Sequence, residues 1–584
     1  MNVPDHLQQR LQDHQLQLKE ITARGSRIVT ARVLSFVSGI VLLIWAISDP
    51  EVIVAPYLSA GLFLLFFVIL NKDKTNENKK ILTRNLVEID KDEIKRLNGE
   101  MKGLASGDQY HEPGHPYAHD LDIFGQYSLF QHINRTSLYG SSDLLAQWLK
   151  SPVSKREVTE RQQAIAELRE KENWRIDFQS KMRLLQDSKG KVDFFSDKPY
   201  AKFYLIAAIV LGLLTVAILI MATVNQLPSG YVWLAVLTNG TVLGIYNFKI
   251  QRKAVRTGIL LNYLQAFLLG MDHIVKGDFT SPTLKEAQKL VDQKAMKAIG
   301  QLRQIIFLLD SRGNLMWPIV NLIFLMDIYS GFLMNWWSRK NGSDFQKWIE
   351  AICFFEVHAS CASFWQLHPK FTLPELQEGE KIWKGLDVGH PLIKDEHRIS
   401  NDFTLDARMN LITGSNMSGK STFLRTVGIN TIMAWAGLPV CAKKLELSGF
   451  LPYTSMRTQD DLSQGASSFY AELKRIQGLF TLLEKAQTPV LFLLDEILKG
   501  TNSHDRHIGA LGIIERLMGM ASTGFISTHD LDLADHYLKH KKVRNLSFNS
   551  VMKEGKLIFN YHLHEGKCHS TNASELMKIM GIID

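Results

Sequence analysis

Cysteine is scarce in this chain. Among 584 residues there are four, Cys353, Cys361, Cys441 and Cys568, and none forms a Cys-x-x-Cys pair. That excludes a disulfide framework and a zinc ribbon of such pairs, and it points to a reducing compartment. The first 25 residues lack the apolar stretch of a cleavable leader. They interleave Gln with Leu7, Leu11, Leu16 and Leu18 and predict a short helix. No internal repeat is apparent. A strong excess of one charge is also missing. The net charge of +8 permits an anionic partner such as nucleic acid or a membrane surface without demanding one. With 46% hydrophobic and 22% charged residues the chain is folded, and its length divides into two to four domains.

What is present begins with long apolar runs. Val33 to Ser48 and Val52 to Leu70 are split by Asp49-Pro50-Glu51. Phe203 to Val224 and Tyr231 to Tyr246 are split by residues 225–230. Phe203 to Val224 has no charged residue and, as a helix, matches a bilayer core of ~30 Å. Lys and Arg flank both pairs at their outer ends: Arg24, Arg27 and Arg32, then Lys72, Lys74, Lys79 and Lys80; Lys198 and Lys202, then Lys249, Arg252, Lys253 and Arg256. The tight turns carry neither. Positive-inside asymmetry therefore predicts two transmembrane hairpins that leave from and return to the cytoplasm. A further apolar run, Leu315 to Trp337, contains Pro318, Asn321 and Asp327. A mid-span Asp is costly in lipid, so this run is expected to be a core helix.

The expected organisation is a helix at 1–25, a hairpin at 26–72, and a polar linker at 73–119 ending in Glu112-Pro113-Gly114-His115-Pro116. A helical part at 120–200 follows, then a hairpin at 201–248, a second helical part at 249–375, and a nucleotide-binding domain at 376–584. The fold class is mainly α plus α/β.

The sharpest motif is Gly414-Ser415-Asn416-Met417-Ser418-Gly419-Lys420-Ser421-Thr422, which fits Gly-x4-Gly-Lys-[Ser/Thr] throughout. It follows a strand candidate at Met409 to Ile412 and opens a helix candidate at Thr422. In that setting the loop backbone wraps phosphates and the helix N-terminus adds partial positive charge. Lys420 is expected to reach the β- and γ-phosphates of ATP, and Ser421 to ligate Mg²⁺. An apolar strand, Val490 to Leu494, ends in Asp495-Glu496. Asp495 is expected in the Mg²⁺ shell, and Glu496 is expected to orient the attacking water. Ser527-Thr528-His529-Asp530 ends another strand candidate, where His529 can sense the γ-phosphate. Gly500 to Asp505 follows the Asp-Glu pair, and Ser467-Ser468-Phe469-Tyr470-Ala471-Glu472 lies between the two phosphate-site motifs.

Together these motifs resemble the MutS family of mismatch-repair ATPases. Thr413 to Thr422 is similar to the family's T-G-x-N-M-x-G-K-S-T, with Ser418 where Gly is usual. Asp495, Glu496, Gly500 and Thr501 resemble its Asp-Glu-x-x-x-Gly-Thr segment, Ser467-Ser468-Phe469 its Ser-Thr-Phe signature, and Thr528-His529 its switch. The stretch 128–152 and Gly389-His390-Pro391-Leu392 are similar to the start of the family's helical core and to the entry of its ATPase domain. The resemblance implies a helical core and lever domain joined to an ABC-type ATPase domain. It also implies a head-to-tail dimer in which Ser467 and Ser468 of one subunit complete the other's ATP site, and a coupling between nucleotide state and lever angle. The family's mismatch-recognition domain has no counterpart before residue 120, where a hairpin and linker stand. Phe354-Phe355-Glu356 fits the family's wedge tripeptide but lies on a helical pattern and reads as core. The leading expectation is an ATPase held at the inner (cytoplasmic) membrane, its large domains facing the cytoplasm, acting on duplex or branched DNA. The alternatives are a nucleotide-switched membrane scaffold, or a transporter-like ATPase that leaves DNA untouched. The Leu-Ser-Gly-Gly-Gln transporter signature is absent.

Overall fold

The computed structural model describes the chain except for residues 1–2, 50–52, 186–201, 225, 251–256, 311–316, 379–381, 406–408, 458–467, 487, 521, 554–555, 569–582 and 584. Its helices run α1 (Val3–Ser48), α2 (Ala55–Asn98), α3 (Leu129–Ile133), α4 (Tyr139–Lys150), α5 (Lys155–Glu170), α6 (Glu172–Met182), α7 (Lys202–Thr223), α8 (Gly230–Ile250), α9 (Thr257–Val275), α10 (Pro282–Leu290), α11 (Gln293–Asp310), α12 (Trp317–Phe324) and α13 (Met326–Leu367). The remainder alternates strands and helices: β1 (Glu375–Leu376), β2 (Trp383–Val388), β3 (Asn401–Thr404), β4 (Met409–Gly414), α14 (Lys420–Trp435), β5 (Lys444–Leu447), β6 (Leu451–Ser455), α15 (Ser468–Lys485), β7 (Val490–Asp495), α16 (Ser503–Met518), β8 (Ser522–Thr528), α17 (Leu531–His536), β9 (Val543–Lys553) and β10 (Lys556–Glu565). The chain is therefore mostly helical with an α/β part, as the sequence predicts.

Two compact units form. The first comprises Met1–Ile94, Arg135–Ser142 and Lys171–Glu356; the second comprises Lys95–Asn134, Asp143–Glu170 and Val357–Asp584.

In the first unit α1 and α2 are much longer than a bilayer-spanning hairpin, because polar turns extend each apolar half. The stretch expected as a linker is helical from 73 to 98. Its charged face pairs with α1: Arg10 Nε donates to Asp90 Oδ1 at 2.7 Å, and His14 Nδ1 lies 2.6 Å from Asp90 Oδ2. Asp90 is buried, so these partners and the Arg135–Glu93 pair (2.8 Å) fix the helix where composition alone suggested a linker. Among the described residues, three helices are long and apolar enough to cross a membrane: α1, α2 and the stretch Phe203–Thr223 of α7. The fourth expected span, α8, is apolar over Gly230–Tyr246, a shorter stretch. The run expected as one core helix, 315–337, is broken. α12 and α13 meet at an angle of 78°, and Leu325 between them has φ of +53°. Asp327 and Asn321 account for the break, since each hydrogen-bonds the other across it. Lys198, Arg252, Lys253 and Arg256 lie outside the described residues, as do the side chains of Lys202 and Lys249.

The second unit is built on a six-stranded sheet of order β10-β9-β4-β8-β7-β6, parallel except for the β9–β10 hairpin. The central strands β4, β7 and β8 are buried along their whole length, which is why they read as near-continuous apolar runs. A smaller sheet, β1-β5-β2-β3, flanks it. Residues 120–128, expected to be helical, form turns, with Asp122 and Tyr127 at positive φ (50° and 59°). The reason is local. Asp120 accepts from Thr454 Oγ1 (2.8 Å) and the Met456 amide (3.1 Å), while Leu121, Ile123 and Phe124 are buried. Phe355 and Glu356, in the first unit, are likewise buried, in accord with a core reading of that tripeptide.

Candidate phosphate-binding site

The sheet register aligns the ends of three strands. Thr413 of β4 pairs with Thr528 of β8, and Ser527 of β8 pairs with Asp495 of β7. Their loops therefore meet at the carboxyl edge of a parallel sheet, where α/β folds place ligands. β4 runs to Gly414 and α14 starts at Lys420, so the loop is 415–419. Glycine is required at both ends of it. A Cβ on Gly414 would lie 2.8 Å from Ser418 Oγ and 2.9 Å from the Phe548 carbonyl, and Gly419 has φ of +106°. Met417 also takes a positive φ, 65°. Lys420 is buried and donates to the carbonyls of Gly414 (2.9 Å) and Ser415 (3.1 Å); burial lowers its pKa. Ser415 Oγ and Ser418 Oγ are buried without a hydrogen-bond partner. Unmatched hydroxyls in a loop this closely wound suit a phosphate acceptor.

Facing the loop, Asp495 is held from both sides. Ser421 Oγ donates to its Oδ2 at 2.6 Å and Ser527 Oγ donates to its Oδ1. Ser421 and Asp495 thus present adjacent oxygens, the ligand type that Mg²⁺ takes. Glu496 sits at φ of +51°, a conformation held by its amide, which donates to Ser527 O (3.1 Å) and Ser527 Oγ (3.0 Å). Its carboxylate meets His529 Nε2 at 2.5 Å, Lys499 Nζ at 3.1 Å and Lys420 Nζ at 3.7 Å. The His529 hydrogen bond, with Lys499 adding to it against the effect of burial, pulls the Glu496 carboxyl down to about 2. His529 is steadied through its neighbour, since Asp530 caps α17 and meets His507 Nδ1 at 2.6 Å.

Lys420, Ser421 and Glu496 border a cavity of about 970 Å³, and Asp495 and His529 are hydrogen-bonded to them. Residues 416–422 and Glu496 line one side, Thr422 and Asn416 among them. Val388, Ile393, Ile399, Phe559 and Tyr561 supply an apolar wall, interleaved with Glu396, His397, Asn401 and Asn560. Sequence reading did not find that apolar wall. Its one signal was the segment around Gly389-His390-Pro391-Leu392, which the wall residues Val388 and Ile393 bracket. His390 itself is half-buried, and loss of solvent around its ring lowers its pKa to about 4.

The expected signature segment is only partly in view. Ser467 lies outside the described residues; Ser468 opens α15, and its side chain lies outside them too. The rest of the segment is anchored beside the phosphate site. Glu472 accepts from the Leu498 amide, and a Cβ on Gly500 would meet Phe469 at 2.7 Å. Gly500 to Asp505 contributes the start of α16, with Asn502 capping it through the Asp505 amide (2.9 Å). On the other flank Asp122 takes a two-pronged contact from Arg457 (2.8 and 2.9 Å) and a third from Arg425 of α14 (3.2 Å). Asp122 thereby joins the helix after the phosphate loop to the last described residue before 458–467. Arg425 and Arg457 were missed by the sequence reading, because their partner Asp122 lies more than 300 residues away along the chain; Glu472 stood in the segment it singled out, without its contact to Leu498.

Residues 410–582 match MutS domain V. The chain is 34% identical over 220 residues to the DNA mismatch repair protein MutS of Thermotoga petrophila, covering 37% of this chain and 27% of that protein. It is 31% identical over 227 residues to the protein of the same name from Clostridium tetani, covering 37% and 25%. To that of Thermus caldophilus it is 28% identical over 247 residues, covering 42% and 29%. The chain thus spans about a quarter of the length of the curated relatives it matches.

Proposed function

We propose, from the premise that this chain is a MutS-family protein by its domain V, that it is a membrane-tethered ATPase whose ATP cycle drives a clamp-like dimer on DNA. One observation supports the enzymatic part: Lys420, Ser421 and Glu496 line one cavity, with Asp495 hydrogen-bonded to Ser421 and His529 to Glu496, although more than 100 residues separate Lys420 from His529. The 970 Å³ cavity is of the size of a small-molecule site, with a polar end for the triphosphate and an apolar wall for the base. Residues 414–422 would cradle the phosphates of ATP, with Lys420 against the β- and γ-phosphates. Ser421 and Asp495 would hold Mg²⁺, which when bound supplies neutralising charge to the phosphate oxygens. Glu496, ionised at neutral pH, accepts a hydrogen bond from the attacking water and orients it, and His529 keeps that carboxylate in position.

The tethering is supported by α1, α2 and α7, whose apolar stretches are widely exposed and long enough to cross a bilayer. In this reading α8 completes the second hairpin and the large domains face the cytoplasm. Dimerisation places residues 467–468 of one subunit against the phosphate site of the other. DNA is the expected partner from the family alone, since mismatch repair appears in the relatives' names and this chain covers only a fraction of them. Turnover of the purified protein in detergent, with and without duplex, branched and mismatched DNA, tests the reading. Stimulation or retention by one of these forms supports DNA as partner. Turnover indifferent to all of them refutes it and leaves a nucleotide-switched membrane scaffold.

A further inference from the structure

The break between α12 and α13 has an inside-out construction. Its polar groups are turned inward. The Asp327 amide donates to Asn321 Oδ1 (2.9 Å), Asn321 Nδ2 to Asp327 Oδ2 (3.0 Å), and the Leu325 amide to the Asn321 carbonyl (2.8 Å). Asn239, in the middle of α8, donates to the Leu322 carbonyl (2.7 Å) and to Thr215 Oγ1 of α7 (2.9 Å). Asp327 is 5% exposed and Asn239 1%. The apolar groups are turned outward: Ile319 is 54% exposed and Phe324 45%, with Leu333 and Trp336 exposed beyond them. In water this arrangement forfeits burial of apolar surface and hides the polar groups. In lipid it is the arrangement that irregular backbone requires, because an unmatched N–H or C=O in hydrocarbon costs several kcal/mol.

The position agrees with that. A Cβ on Gly212 would lie 3.7 Å from the Ile323 carbonyl, so the break lies against the midpoint of α7, where a small residue lets the backbones approach. Leu325 and Ile328 form one buried cluster with Ala208 of α7 and Leu243 and Tyr246 of α8. Twelve residues after the break, at ~1.5 Å each, α13 has risen about 18 Å, roughly half a bilayer core. There the residues change to Trp336, Trp337, Arg339 and Lys340, with Lys340 Nζ 5.0 Å from the centre of the Trp336 ring, a pairing suited to the headgroup boundary. Beyond it the chain returns to helices that flank the break in sequence. Trp337 Nε1 donates to the Ala298 carbonyl of α11 (2.6 Å), and the rings of Phe345 and Phe267 of α9 are 6.1 Å apart. α11 leads into the break and α9 follows α8, so entry and exit are on one side.

We infer that α12 and the first turns of α13 form a re-entrant element embedded in the bilayer beside α7 and α8, with Ile319 and Phe324 against the acyl chains. The inference rests on the reading of α7 and α8 as membrane segments. Cysteine accessibility separates the two. The four native thiols are buried and react only after denaturation, so each variant carries them replaced by Ser or is read as the label in excess of the wild-type chain under the same condition. Ile319→Cys, Phe324→Cys, Leu213→Cys in α7 and Glu350→Cys on the soluble part of α13 are treated with a membrane-impermeant maleimide in opened membranes, then in detergent plus denaturant. The expected result is loss of labelling at 319, 324 and 213 in membranes, its recovery after denaturation, and labelling of 350 throughout. Labelling of 319 and 324 as fast as 350, with 213 protected, overturns the inference and leaves the membrane reading of α7 intact. Labelling of 213 overturns both. Should one variant fail to fold, the other outward-facing position answers the same question.

Discussion

Glu356 offers a stability test that needs no knowledge of substrate. Its carboxylate is buried in the first unit, where it accepts from the Ser137 amide (2.9 Å), the Leu138 amide (3.1 Å) and Ser141 Oγ (2.6 Å). Burial pushes its pKa up to about 7, and the three hydrogen bonds do not bring it back to the ordinary value of 4.5. The folded protein therefore keeps this proton up to about pH 7, whereas the unfolded chain releases it near 4.5. Between those values the folded state binds more protons, so stability falls as pH rises through the window and levels off above it. At ~1.4 kcal/mol per pH unit of separation, the difference across the window is roughly 3 kcal/mol. Denaturant unfolding of the detergent-solubilised protein, followed by tryptophan fluorescence between pH 4.5 and 7.5, measures it. Trp174 lies 5.8 Å from Phe355, the neighbour of Glu356, and serves as a local reporter. Glu356→Gln has no proton to exchange and should lose this part of the pH slope. Parallel slopes for wild type and variant would refute the assignment, since every other titrating group contributes equally to both.

Two further substitutions probe the second unit. A Cβ at Gly524 of β8 would lie 2.0 Å from the Phe492 carbonyl, so Gly524→Ala should destabilise by at least ~1–3 kcal/mol, read as a lowered melting temperature or loss of soluble protein. Asp122→Asn weakens the contacts that join Arg425 of α14 to Arg457. It should change the turnover rate while leaving ATP affinity near that of wild type, checked by steady-state kinetics beside equilibrium binding.

Much of the candidate site was legible because its motifs are contiguous: the glycine-rich loop 414–419, the Asp495-Glu496 pair and His529 each follow an apolar strand, and short-range pattern suffices to find them. The sheet then only had to bring the strand ends together. What pattern missed depends on partners far apart in sequence. The Asp120 and Asp122 turns are held by Thr454, Met456 and Arg457, so helical spacing misled there. The polar stretch 73–98 is helical because Asp90 meets Arg10 and His14 of α1. The break in the run 315–337 is a nearer case, since Asp327 meets Asn321 only six residues away, a pairing that helical spacing does not foresee. The apolar wall of the cavity combines β2 and β10 with the segment after β2, a combination no local window contains.

The most direct test of the account is phosphate release by the purified protein with Mg²⁺ and ATP, compared with Glu496→Gln, with ATP binding measured separately. Steady release is expected of the wild type, and in the variant undiminished ATP binding with release lowered by at least roughly 100-fold. A variant that hydrolyses ATP at the wild-type rate, or a wild type that binds no ATP, would contradict it.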